Sequence, residues 1–185
     1  MKKRFLLSLL MLPAMLQAQP IINSWIMNQN GKLASYWAVT GNPPAAPSFS
    51  FTNTTDSADV LKVCYTADSV WVRSHGMTDN MGKYQNPGNC VAQNYTFRFP
   101  RNPVAATVKK EAPMVGSIGL LLNGIPIFGL SNANSWTGST NAGPQGGGQG
   151  VWNVEVYKAE GMVLDTAFGA HPQQQGAYHS HATPY

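Results

Sequence analysis

Charged residues are scarce in this chain, and most of its length has no basic cluster. Asp, Glu, Lys and Arg make up 11% of the 185 residues. Three of the 12 Lys and Arg residues lie at positions 2 to 4, so the rest of the chain has 9 basic against 8 acidic residues. A nucleic-acid-binding protein normally has a clustered basic surface, and Lys109-Lys110 is the only later adjacent basic pair. Nucleic acid is therefore not an expected partner.

Long apolar runs are also lacking. The run at residues 5–16 is too short to span a bilayer as a helix, which takes ~20 apolar residues. Because it follows the basic residues at positions 2 to 4, it predicts a secretory signal peptide over residues 1–18, cleaved after Ala18. The later apolar stretch 118–130 is interrupted by polar residues and proline. We therefore expect a secreted, periplasmic or cell-surface protein with no transmembrane segment after cleavage.

Cysteine is rare, with Cys64 and Cys90 as the two occurrences. An oxidising compartment favours pairing them, and the closed loop would stabilise the fold by about 3.5 kcal/mol in the chain-entropy model. Two free thiols or a metal-binding pair are the alternatives, although the spacing matches no zinc motif.

Sustained helical periodicity is absent, and several segments alternate as strands do. These segments are Val60–Tyr65, Ser69–Arg73, Asn94–Phe99 and Val151–Tyr157. The pattern predicts a mainly β protein, a sandwich-like single domain with long loops.

A hairpin is predicted where two apolar segments, Ile118–Leu122 and Ile125–Phe128, flank Asn123-Gly124. Asn-Gly tolerates the positive φ of a type I′ turn. Since Pro126 has no amide hydrogen, its strand is expected at a sheet edge or with its nitrogen turned outward.

Two loops divide the chain. The proline-rich segment 42–47 separates the main body from an N-terminal piece, so residues 19–59 are interpreted as an extension or edge segment and residues 60–185 as the main β domain. The glycine-rich segment 141–150 is interpreted as a mobile connection, because it lacks the Lys and Ser/Thr of a phosphate-binding loop.

Signatures of nucleophilic catalysis are missing. The sequence has no Gly-x-Ser-x-Gly motif, and its acidic residues are few and dispersed. These features give no support for a serine hydrolase or a paired-carboxylate glycosidase.

Histidines, in contrast, are concentrated near the C-terminus, where His171, His179 and His181 account for three of the four in the chain. On a strand, the two imidazoles of His179-Ser180-His181 point to the same face. Pro172 and Gly176 allow a turn that brings His171 to the same point, and Asp165 is the nearest carboxylate. Three histidines with or without a carboxylate suit a transition metal ion, with zinc or copper favoured over iron or nickel, and do not suit calcium or magnesium. Asp165 is expected as a ligand or as an acceptor that orients an imidazole.

Three functions remain open for this cluster. The first is an exported metal-binding domain whose reaction, if any, is unknown. The second is a metal-dependent extracellular enzyme of hydrolase type, which needs an open coordination position. The third is a surface adhesion or structural module in which the histidines are incidental. Neither a substrate nor a protein partner follows from the sequence.

The C-terminal segment resembles the YHYH-domain family of exported bacterial proteins, named for a Tyr-His-Tyr-His motif. The matching segments run from Val60 to the C-terminus and are Ser74–Met77, Gln93–Phe97, Leu122–Phe128, Asp165, Gly169–Pro172, Gly176 and Tyr178–His181. The chain departs from the motif at Ser180, which replaces the second tyrosine and leaves both histidines in place. The resemblance implies metal binding without a settled activity. It also implies further sequence after the motif, so truncation of the domain at Tyr185 is an expectation.

Overall fold

The strands follow the alternating segments of the sequence, because alternation places one row of side chains on a packed face and the other towards solvent. The computed structural model describes residues 22–40, 48–85, 88–110, 116–138 and 152–181. In chain order the strands are β1 (Leu33–Thr40), β2 (Ser48–Ser57), β3 (Val60–Tyr65), β4 (Ser69–Ser74), β5 (Tyr95–Pro100), β6 (Ser117–Leu120), β7 (Pro126–Phe128), β8 (Ser131–Ser135), β9 (Asn153–Glu155), β10 (Ala170–Pro172) and β11 (Tyr178–Ser180). The helices are α1 (Val156–Glu160) and a 3-10 turn at Gln174–Gly176. The expected signal peptide, the loop 42–47 and the glycine-rich loop 141–150 lie outside the described residues.

An antiparallel sheet of order β3-β4-β5 confirms three of the predicted strands. Its central strand β4 buries Val70 and Val72 completely and leaves Trp71 exposed. Trp25 and Phe99 pack against the same apolar cluster. The predicted alternating segment Ser69–Arg73 thus has one buried and one exposed face.

Strands β1 and β2 form an antiparallel pair. Strand β1 contributes Ala34, Tyr36 and Ala38 to the larger apolar cluster. Tyr36 of β1 stacks on Tyr84, with ring centroids 6.4 Å apart. Further upstream, the backbone N–H of Val60 donates to Ile26 at 3.0 Å, and that of Ile26 donates to Leu122 at 2.9 Å. The N-terminal piece thus packs against the main body, while the domain boundaries at residues 18 and 59 remain predictions.

The candidate site is built on a four-stranded sheet of order β10-β11-β7-β6. Its β6–β7 hairpin forms as predicted, but its turn is not of type I′. Gly124 has a φ of 85°, Asn123 does not have a positive φ, and the N–H of Gly124 donates to Leu121 at 2.9 Å. This pattern is typical of a three-residue loop in which glycine alone takes the left-handed conformation.

Of the two positions expected for Pro126, the sheet edge was wrong. Strand β7 lies between β11 and β6, and Pro126 is its first residue. The first residue of a strand is one of the positions where a missing amide hydrogen is tolerated.

The predicted strand Val151–Tyr157 is correct only for its central residues. Its centre forms β9 against β8, but the chain enters α1 at Val156. Glu155 explains the change, because its Oε2 accepts from the N–H of Lys158 at 2.9 Å and so caps the new helix.

The expected disulfide is absent. Cys64 is an exposed residue of β3, whereas Cys90 is buried in the larger apolar cluster, and both are free. The Sγ of Cys90 lies 3.7 Å from the hydroxyl of Tyr84. An oxidising compartment favours a disulfide only where the fold brings the two sulfur atoms together.

The prediction of a mainly β single domain is confirmed. Among the described residues, no sheet closes into a barrel. In the same part of the chain, no helix has the length and apolar character needed to cross a bilayer.

Candidate metal centre

A short hairpin brings the three histidines together. His171 of β10 lies directly opposite His179 of β11. The pairing continues past the end of β11, where the N–H of His181 donates to Gly169 at 3.0 Å. His179 and His181 therefore share one strand face, as the sequence predicted. Their ligand atoms and that of His171 all lie within 4.8 Å of one another.

The hairpin depends on an unusual turn. Gln175 has a φ of 71° and Gly176 a φ of 75°. A Cβ at Gly176 would lie 2.6 Å from the carbonyl oxygen of Asn89. A glycine is thus required here both for its conformation and for its lack of a side chain.

Backbone carbonyls fix the orientation of two of the imidazoles. The Nδ1 of His179 lies 2.9 Å from the carbonyl oxygen of Ala177, and the Nδ1 of His181 lies 3.0 Å from that of Gly129. A carbonyl only accepts, so each Nδ1 carries the hydrogen and donates it. In the neutral form, each Nε2 is then left with a free lone pair.

The free lone pairs face each other. The Nε2 atoms of His179 and His181 are 3.0 Å apart. Burial lowers the pKa of His179 to about 3, and burial also lowers the pKa of His181. Neither ring is therefore protonated at neutral pH, and no hydrogen is available to bridge the two nitrogens. Two opposed lone pairs in a buried space are the arrangement that a cation stabilises.

Ring packing and burial hold the cluster in place. The side chains of His171, His179 and His181 are almost fully buried. The ring of Phe128, at the end of β7, packs on that of His179 with centroids 4.0 Å apart and an interplanar angle of 31°. The hairpin predicted from Asn123-Gly124 thus supplies one wall of the site.

Glu160 is the carboxylate that the structure brings to the histidines. Its Oε2 lies 2.9 Å from the Nε2 of His171 and 3.9 Å from the Nε2 of His181. The interaction with His171 lowers the pKa of the Glu160 carboxyl, while burial opposes that shift. Sequence reasoning missed Glu160 because it lies at the end of α1, a helix that the strand-like pattern concealed. The helix cap at Glu155 was the available signal.

Asn132 of β8 fixes the orientation of Glu160. The Nδ2 of Asn132 donates to Oε1 of Glu160 at 2.7 Å, and the Oδ1 of Asn132 accepts from the N–H of Asn134 at 2.6 Å. The second contact determines which way the amide faces. Oε2 of Glu160 is left directed at the histidines.

Asp165, the carboxylate expected from the sequence, does not join the converging ligand atoms. Its Oδ1 accepts from the N–H groups of Ala167 and Phe168 at 3.0 and 2.7 Å, and its Oδ2 accepts from the hydroxyl of Tyr178. The residue is buried, and both of its oxygens are used in these contacts. Asp165 therefore fixes the position of Tyr178, the residue that precedes His179.

Fold and site together define a mainly β protein with a buried three-histidine centre capable of holding a metal ion. Residues 96–185 match the family model described as YHYH protein. Residues 96–185 therefore carry a YHYH domain, which confirms the resemblance seen in the C-terminal motif. The match begins at Thr96, so the similar segments at 74–77 and 93–95 lie outside it. No curated protein and no solved structure matches the chain.

Proposed function

We infer that this protein is an exported domain that binds one transition metal ion through His171, His179 and His181. The observation that carries the proposal is the opposed pair of Nε2 atoms of His179 and His181, 3.0 Å apart, with both Nδ1 atoms committed to backbone carbonyls. Nitrogen ligands of one zinc ion lie about 2.0–2.1 Å from it, which places two of them about 3.3 Å apart in a tetrahedral site. The histidine pair is close to that separation before any ion binds.

The donor set indicates the class of ion. Imidazole nitrogens suit zinc, copper, iron and nickel, whereas calcium and magnesium require oxygen. The backbone carbonyls that orient His179 and His181 also raise the basicity of the opposite nitrogen. Zinc, or otherwise copper, is the ion that this site is proposed to take.

Asp165 is proposed to act as an orienter of this site. It holds the Tyr178 hydroxyl and two backbone N–H groups, and Tyr178 directly precedes His179. The carboxylate thus acts on the strand that carries the ligands and not on an imidazole ring.

Export is proposed from the sequence. The basic residues at positions 2 to 4 and the apolar run 5–16 form a secretory signal. The YHYH domain at residues 96–185 is consistent with export, because the family that it resembles is one of exported proteins.

The test is the metal content per chain, measured by elemental mass spectrometry on protein expressed with its N-terminal segment. Wild type is compared with a His179→Ala, His181→Ala variant and with His75→Ala, which removes a histidine outside the cluster. The proposal expects one ion in wild type and in the control, and none in the double variant. Absence of tightly held metal from all three proteins would refute it and favour a structural or adhesion module with incidental histidines.

A further inference from the structure

We propose that Glu160 is the fourth protein ligand, so that the site is a three-histidine, one-carboxylate centre. This inference rests on the proposed metal-binding function and extends it to a residue outside the histidine motif. Two ligands of one zinc ion, each about 2.0–2.2 Å from it, are at most about 4.3 Å apart. Oε2 of Glu160 meets that limit with both His171 and His181, at 2.9 and 3.9 Å.

Nε2 of His171 and Oε2 of Glu160 are placed as two neighbouring ligands of one ion would be. Within the described part of the chain, neither ring nitrogen of His171 has an aligned hydrogen-bond partner, although both are buried. Oε2 of Glu160 is within contact distance of its Nε2 but off the direction of a hydrogen bond. Buried polar nitrogens normally have partners, and an ion bound between the nitrogen and the carboxylate supplies one.

Hydrogen bonds also fix the orientation of the Glu160 carboxylate, as they do for carboxylates that ligate metals. Asn132 occupies its Oε1 at 2.7 Å, and the N–H of Asn134 holds the Asn132 amide at 2.6 Å. Supporting hydrogen bonds of this kind orient carboxylates that ligate metals. They leave a single oxygen of Glu160 for the ion.

Glu160 supplies the negative charge that balances a bound cation, which the imidazoles cannot supply. Three imidazole ligands offer no negative charge, and burying a divalent cation without a counter-charge is strongly unfavourable. The Glu160 carboxylate supplies one negative charge beside the rings. Its side chain is 23% exposed, compared with 9% for His171 and 4% for His181. Glu160 therefore lies on the solvent side of the cluster.

The completed donor set narrows the choice of ion. Three nitrogens and one carboxylate oxygen saturate a tetrahedral zinc ion, whereas Cu⁺ is selected by thiolates and thioethers. We therefore expect a divalent ion, with four protein ligands when that ion is zinc.

The experiment compares wild type, Glu160→Gln and Glu155→Gln in the full chain. Glu155→Gln is the matched control, because it removes one negative charge from the residue that caps the same helix. Zinc affinity is measured by competition with a chromophoric chelator, and the ligand field by the visible absorption of the Co²⁺-loaded proteins. We expect Glu160→Gln to lose about 10–100-fold or more in zinc affinity and to change the Co²⁺ bands. Because the charge of Glu155 acts on His181 only through space, we expect Glu155→Gln to lose less affinity and to leave the Co²⁺ bands unchanged.

The outcomes separate the two proposals. Equal zinc affinity and equal Co²⁺ spectra in wild type and Glu160→Gln overturn ligation by Glu160 and leave the histidine site standing. Failure of wild type to hold either ion overturns both proposals. A crystal structure of zinc-loaded wild type decides the matter even where a variant unfolds. An Oε2 atom about 2.0–2.2 Å from the ion supports ligation, and one beyond hydrogen-bond distance overturns it.

Discussion

His171 and His179 lie directly opposite each other on β10 and β11, with ring centroids 4.8 Å apart. This pairing couples the metal centre to the register of one short hairpin. A slip by one residue would turn His179 to the other face of the sheet. The turn that sets the register is therefore as important to the site as the ligands.

Substitution of Gly176 by alanine tests that coupling. Positive φ and a Cβ 2.6 Å from the Asn89 carbonyl oxygen both oppose the change. We expect the free energy of unfolding, measured in urea, to fall by about 2–4 kcal/mol, combining strain and overpacking. Zinc content should fall with it.

Gly31→Ala is the matched control for that variant. Gly31 has a φ of 68°, but a Cβ there meets nothing within 4 Å. Only the conformational penalty remains, so a loss of about 1 kcal/mol is expected. Equal losses in the two variants would contradict the role given to the Asn89 contact.

Substitution of Asp165 by asparagine separates an orienting role from a ligating one. The new amide group cannot accept all three hydrogen bonds that the carboxylate accepts. We expect a loss of about 2–3 kcal/mol in the free energy of unfolding, since bonds to a charged acceptor contribute about 1.5–3 kcal/mol. Below the unfolding transition, the variant should still hold one zinc ion per chain.

Tyr178→Phe provides the comparison, because it removes one of the three donors and leaves the carboxylate. It should destabilise less than Asp165→Asn and should also retain the metal. If folded Asp165→Asn loses the metal while Tyr178→Phe keeps it, Asp165 is a ligand after all.

Thiol reactivity checks the assignment of free cysteines. Burial raises the pKa of Cys90 to about 12, so its thiolate is scarce, whereas Cys64 is exposed. With a chromogenic disulfide reagent at pH 8, we expect one fast thiol in the folded protein and two in denaturant. Cys64→Ser should abolish the fast phase. A protein with no reactive thiol even in denaturant would restore the disulfide.

Much of the sheet structure could be predicted, because alternation reports directly on which face of a strand is buried. Val70 and Val72 are completely buried on β4, and Trp71 between them is exposed, which is the alternation expected of a strand. The segment leading to Tyr157 looked equally strand-like. There, the backbone N–H of Lys158 donates to the Glu155 side chain, which caps the start of a helix. The pattern of apolar residues contains no information about such a cap.

The site was predictable only where its residues share a strand or a short turn. His179 and His181 converge because they lie two residues apart on one strand, and Gly176 allows His171 to fold back opposite them. Asp165 was chosen for its closeness in sequence, yet Glu160 is the acid that reaches the rings. Tertiary contacts decide between two nearby acids, and a single sequence contains no record of them.

Asn132 offers the most specific test of how Glu160 is held. Its amide holds Oε1 of Glu160 at 2.7 Å, so Asn132→Ala frees the carboxylate to rotate without removing any ligand. We expect one zinc ion per chain to be retained, with affinity reduced by up to about 10-fold, the lower end of the range for residues that orient ligands. The Co²⁺ spectrum should broaden while staying distinct from that of Glu160→Gln. A general loss of stability would lower the unfolding midpoint without altering the spectrum of the folded, loaded protein. An unchanged spectrum and affinity would therefore mean that the Asn132 contact supports the fold and not the metal centre.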